Sequence, residues 1–159
     1  QSPASASLAA FAVIGIGGLG SLLAGRWADR FGRTTLTIVS LSVSGLCALF
    51  TGWLFGSQPW IILAVCLVWG FAIVADSAQF SACISELCPP QLTGTALTLQ
   101  TSLGFLLTLV SIRLLPQVAA AAGWGWAFAF LAIGPAAGIL GMAALRRSAG
   151  AARLAGGRR

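Results

Sequence analysis

Long apolar runs alternate with short polar breaks along this chain. Runs of bilayer length cover residues 4–25, 34–55, 60–85, 93–115 and 124–145. At 1.5 Å per residue, about 20 residues cross a hydrocarbon core of about 30 Å. The breaks are the charged stretch around 26–33, "GSQP" (56–59), "ELCPPQLTG" (86–94), "PQVAAAAG" (116–123) and a tail from Arg146. Pro59, Pro89, Pro90 and Pro116 fall at expected helix ends, where a missing N–H costs least. Pro135, beside Gly134 inside the fifth run, predicts a kink. The expected architecture is an all-α polytopic membrane protein. Five transmembrane helices fill residues 1–145, and an arginine-rich tail fills 146–159.

Composition agrees with that pattern. The chain is 58% hydrophobic and only 8% charged, with a mean hydropathy of +0.95. A soluble domain carries about 25% charged residues, so too little polarity is left to cover a wet surface. The net charge of +6 comes from nine arginines against three carboxylates. In a soluble protein that balance would suggest nucleic acid. Here the arginines cluster at the ends of apolar runs, which is a topology signal, so no nucleic-acid partner is expected. With residues 26–33 cytoplasmic, the tail falls on the same side, and Arg113 alone lies toward the opposite face. The expected location is a cell membrane, as in a bacterial inner membrane, with the C-terminus cytoplasmic.

The chemical inventory is thin. There is no histidine, and the four cysteines form no CxxC pair, so no metal site and no cofactor are expected. A membrane-embedded enzyme, one rival reading, would need a nucleophile or metal cluster near the headgroups, and with no histidine and three carboxylates the inventory for it is thin. "GIGGLG" (15–20) imitates a dinucleotide fingerprint but lacks an acidic residue about 20 positions on. Gly17, Ser21 and Gly25 instead recur every four residues, a small-residue face for close helix packing.

The charged stretch reads G-x-x-x-D-R-x-G-R, with Gly25, Asp29, Arg30, Gly32 and Arg33. Topology needs arginines but not the aspartate or the glycines. Gly32 would permit a tight turn and Gly25 a close helix approach. The pattern resembles the loop signature of major facilitator superfamily transporters, which occurs once in each half of those proteins. Thr34 stands where the family usually has a further basic residue. "ELCPPQLTGTAL" is similar to the family's E-x-x-P-x-x-x-R-G loop two helices on, matching at Glu86, Pro89 and Gly94, with Thr93 in place of an arginine.

The resemblance implies five helices of a six-helix half-bundle, with Glu86 pairing with Arg30 or Arg33 as a conformational latch. It also implies secondary transport of a small-molecule substrate by alternating access between two halves. The start at Gln1 points to a fragment, and the composition of the tail favours the C-terminal half, with the N-terminal half of the same transporter missing.

Asp76 lies inside the third run, where an ionisable residue costs about 2.5–3.5 kcal/mol to insert and marks a pathway or a helix–helix network. Trp69, Asp76, Gln79, Phe80 and Cys83 share one helical side, a candidate solute-facing stripe. Gln100, Thr101, Gly104, Thr108 and Ser111 form a second polar stripe on the fourth run. Asp76, Gln79, Gln100 and Trp69 are thus the candidates for a substrate or proton pathway. Proton coupling stays open, and a structural membrane subunit or a membrane-embedded enzyme is the alternative reading.

Overall fold

The computed structural model describes residues 3–54 and 56–157. Gln1, Ser2, Phe55, Arg158 and Arg159, which the bundle, second-span and tail expectations include, lie outside the described residues. The chain forms α1 (Pro3–Phe31), α2 (Arg33–Trp53), α3 (Pro59–Leu87), α4 (Thr93–Ala122), α5 (Trp124–Leu131) and α6 (Ile133–Arg147). A segment of 3-10 turns, Ala149–Gly157, broken by a kink at Leu154–Gly156, follows. Among the described residues there is no strand. Five helical stretches are long and apolar enough to cross a membrane, the fifth made of α5 and α6 together. In hydrocarbon every backbone N–H must bond within its own segment, which is why these runs are helices. The hydroxyls of Ser42, Thr51, Thr98, Thr108 and Ser111 likewise donate to carbonyls four residues back, hiding their polarity.

Three boundaries differ from the sequence expectation. The charged stretch is not a loop: α1 runs on to Phe31, and only Gly32 separates it from α2. Gly32 has φ 95°, a conformation that side chains disfavour, so a single glycine reverses the chain. Pro116 does not end a helix; α4 continues to Ala122 and stops at Gly123, whose φ is 87°. An exposed membrane helix tolerates the lost hydrogen bond, and four alanines carry it on. Arg113 therefore sits inside α4 rather than at its end. In the fifth span the break comes at Ala132, three residues before Pro135, where the Ala132 N–H tightens onto the Ala129 oxygen at 3.0 Å.

Helices α2 and α3 occupy the middle. α3 packs on α1 and α2, while α2 also packs on α5 and α6. α4 touches mainly α5 and has no buried residue. Without a hydrophobic drive between helices in lipid, close van der Waals contact must hold them. The contact face of α1 is Gly17, Gly20, Ala24 and Ala28, all buried. A Cβ on Gly20 would lie 2.5 Å from the Phe71 carbonyl oxygen, so backbone meets backbone there. The expected Gly17–Ser21–Gly25 face is corrected by this register. Gly25 lies one residue, about 100° of helix rotation, past Ala24, and a Cβ added to it would meet nothing within 4 Å.

One end of the bundle collects Arg26, Arg30, Arg33, Glu86, Arg146, Arg147 and Arg153. The opposite end collects the exposed indoles of Trp53, Trp60, Trp124 and Trp126, an aromatic girdle.

Candidate functional site: an arginine-centred cluster and a polar groove

Arg33, the first residue of α2, is the centre of the charged end. The reversal at Gly32 turns its side chain inward, with 13% of it exposed. Its Nε donates to Glu86 Oε1 at 2.7 Å, and its Nη2 lies 2.6 Å from the same oxygen. Nη2 also reaches Asp29 Oδ1 at 3.1 Å, and Nη1 donates to Gln79 Oε1 at 3.2 Å. One guanidinium thus ties together the end of α1, the start of α2 and the last three turns of α3. Its planar fork suits this better than an ammonium would. The other Glu86 oxygen, Oε2, accepts the Ala155 backbone N–H at 2.9 Å.

Of the two arginines expected to meet Glu86, it is Arg33 that does so. Arg30 points outward, its guanidinium carbon 5.6 Å from the Phe31 ring centre. Thr93, standing where the resemblance would place an arginine, donates to the Pro89 carbonyl at 3.1 Å. It starts α4 rather than extending the charge network.

The stripe expected to face solute on α3 is largely a helix–helix contact. Trp69 Nε1 donates to Ser44 Oγ of α2 at 3.0 Å, and its ring meets Phe128 of α5 edge-on at 6.4 Å. Gln79 is 1% exposed and belongs to the arginine cluster. Phe80 and Cys83 pack into an apolar knot with Leu41, Met142 and Leu154. The reason is rotation: that side of α3 points at α2 and, toward the charged end, at the segment 149–157. Gln79 and Glu86 are seven residues apart, two helical turns, so their shared face was readable in advance.

Asp76 is 8% exposed, and its Oδ1 accepts the Ser77 hydroxyl at 3.1 Å. Ser77 opens onto a second polar feature, a groove of about 340 Å³ between α3 and α4. Ser77 and Ser81 line one wall, and Gln100, Thr101, Gly104 and Thr108 the other. Gln100 Oε1 is buried with no hydrogen-bond partner, while most hydroxyls here are spent on their own helices. Ser111, the last of the α4 stripe, faces a separate cavity with Leu107 and Leu131. Sequence reading missed Ser77 and Ser81, although their spacing of four with Ser85 was a signal.

Among the described residues no group of three His, Cys, Asp or Glu side chains could hold a metal. What the arrangement offers is a groove lined by hydrogen-bonding groups and an ionic tie between the ends of three helices.

Comparison with known protein families finds a match to the Major Facilitator Superfamily over residues 1–158. No curated protein and no solved structure matches the chain. With the family match spanning nearly every residue of an all-helical, five-span bundle, the chain belongs to the major facilitator superfamily, a family of membrane transporters.

Proposed function

We propose that this chain is part of a secondary active transporter that moves a small polar solute by alternating access. The groove between α3 and α4 forms one wall of the path, and the N-terminal half of the same transporter forms the facing wall. On this reading the chain is the C-terminal half, and its arginine-rich end faces the cytoplasm of a bacterial cell. Gly25, Asp29, Arg30, Gly32, Arg33 and Glu86 belong to the latch that closes that side. Arg33 and Glu86 are its working pair.

The observation that carries this reading is the unpaired, buried Gln100 oxygen inside a groove of hydroxyls. A buried acceptor without a partner is rare, and a solute that donates a hydrogen bond fits it. Asp76, joined to the groove through Ser77, is the ionisable group available to a coupled proton.

The test is uptake by the full-length transporter in proteoliposomes, screened over polar solutes with and without a pH gradient. Gln100→Leu removes one solute hydrogen bond, about 1.4 kcal/mol, and is expected to lower uptake about ten-fold. Asp76→Asn is expected to abolish the response to the gradient. Unchanged uptake in both variants would remove the groove from the pathway. A neutral Asp76→Asn alone would leave that carboxylate with a structural role.

A further inference from the structure

The chain does not trail away after α6. Ser148 is extended, its hydroxyl donates to the Leu145 oxygen at 2.7 Å, and the backbone folds back beneath the helices. In the returning segment, Ala151 and Leu154 are both 0% exposed. Leu154 enters the apolar knot formed by Leu41 of α2, Cys83 of α3 and Met142 of α6, with Ile38, Phe80 and Leu87 around it. The next residue, Ala155, has φ 46°, a left-handed conformation unusual for a residue with a side chain. Such a conformation persists where its surroundings fix it. Here the buried Leu154 holds one side, and the Ala155 N–H donates to Glu86 Oε2 on the other.

The carboxylate of Glu86 is therefore shared. Arg33 takes Oε1 through two nitrogens and so sets the plane of the group, which turns Oε2 toward the tail. The Leu154 socket is likewise shared, with walls from α2, α3 and α6. If α2 and α3 part at this end, the socket opens and the carboxylate loses its orientation in the same event. Both of the tail's attachments depend on one junction.

We propose that the C-terminal segment 149–157 is a removable third member of the latch. It seats only on a made Arg33–Glu86 pair, and by seating it favours that pair by the same factor. The proposal rests on the transporter reading above, since it supposes that α2 and α3 separate during function. A chain shortened after Ser148 should then open more readily at this end than the full one.

Native Cys83, 4% exposed beneath Leu154, reports the seat directly. In the full-length transporter, with Cys47, Cys66 and Cys88 changed to serine, maleimide labelling of Cys83 is expected to be slow. Truncation after Ser148, and Leu154→Asn in a chain of full length, should each speed it about ten-fold. Arg33→Gln should speed it too, although it leaves Leu154 in place. Ala155→Gly, which keeps the N–H and relaxes the backbone, should not. Equal labelling in the parent and in Leu154→Asn, or a Cys83 that stays shielded in Arg33→Gln, would overturn the proposal. Labelling needs no solute, so the two readings fail separately. Uptake unchanged in Gln100→Leu and Asp76→Asn with this labelling pattern intact refutes the groove and supports the tail. The reverse result refutes the tail alone.

Discussion

Removing Arg33 should cost the bundle more than removing either carboxylate, and the structure sets the order. Arg33→Leu breaks both contacts to Glu86 and strips Gln79, 1% exposed, of its partner. A hydrogen bond to a charged group contributes about 1.5–3 kcal/mol, and an orphaned buried amide costs about 1 kcal/mol or more. Glu86 is still able to hydrate, since 27% of its side chain is exposed, which keeps the total at about 3 kcal/mol. Glu86→Gln leaves Arg33 with Asp29 and Gln79, and should cost about 2 kcal/mol. Asp29, with 67% of its side chain exposed, makes a surface pair, so Asp29→Asn should cost about 0.5 kcal/mol. Equilibrium unfolding in mixed micelles, followed by tryptophan fluorescence, measures all three. A double-mutant cycle on Arg33 and Glu86 should return a coupling of about 1.5 kcal/mol or more. A coupling below about 0.5 kcal/mol, or an Asp29 variant as damaging as Arg33→Leu, would refute the claim that Arg33–Glu86 is the pair that matters.

Two further outcomes follow from packing. Gly20→Val should destabilise the α1–α3 contact by about 1–3 kcal/mol, because its Cβ would lie 2.5 Å from the Phe71 oxygen and backbone cannot yield cheaply. The neighbouring Gly18→Val, open at that position, is the control, and both are read by the same unfolding assay. Trp69→Phe keeps the edge contact to Phe128 but loses the bond to Ser44, and should cost about 1 kcal/mol with no change in fold by circular dichroism.

The spans were legible because length and hydropathy are summed over many residues, and no local detail reverses such a sum. Their ends were not. Pro116 reads as a stop in isolation, yet lipid leaves a helix no better conformation, and the chain waits for Gly123. The stretch from Arg26 to Phe31 reads as a loop by its charge, yet it continues α1 until a residue able to adopt positive φ arrives at Gly32. The motif named the latch residues, but helical rotation chose among them. It sent Arg33 inward and Arg30 outward, and it brought in Gln79, which the sequence reading placed with the pathway. The Ala155–Glu86 contact joins residues 69 apart and depends on a backbone turn at Ser148 that no composition signal announces. Gln100 was visible as a polar residue in a membrane helix; that its oxygen goes unpaired emerges only once α3 and α4 are set side by side.

The single-residue reversal at Gly32 has a topological corollary. At that end the polypeptide welds α1 to α2 and, through residues 88–92, leashes α3 to α4. Helix α2 ends at Trp53 and α3 begins at Pro59, both at the far end. The seam between the two welded pairs is therefore stitched there by side chains and a folded-back tail, with no main-chain bridge across it. A wedge driven into that seam stretches no peptide bond; it has to part the packed faces of α1 and α2 from α3, undo a handful of hydrogen bonds and withdraw one leucine.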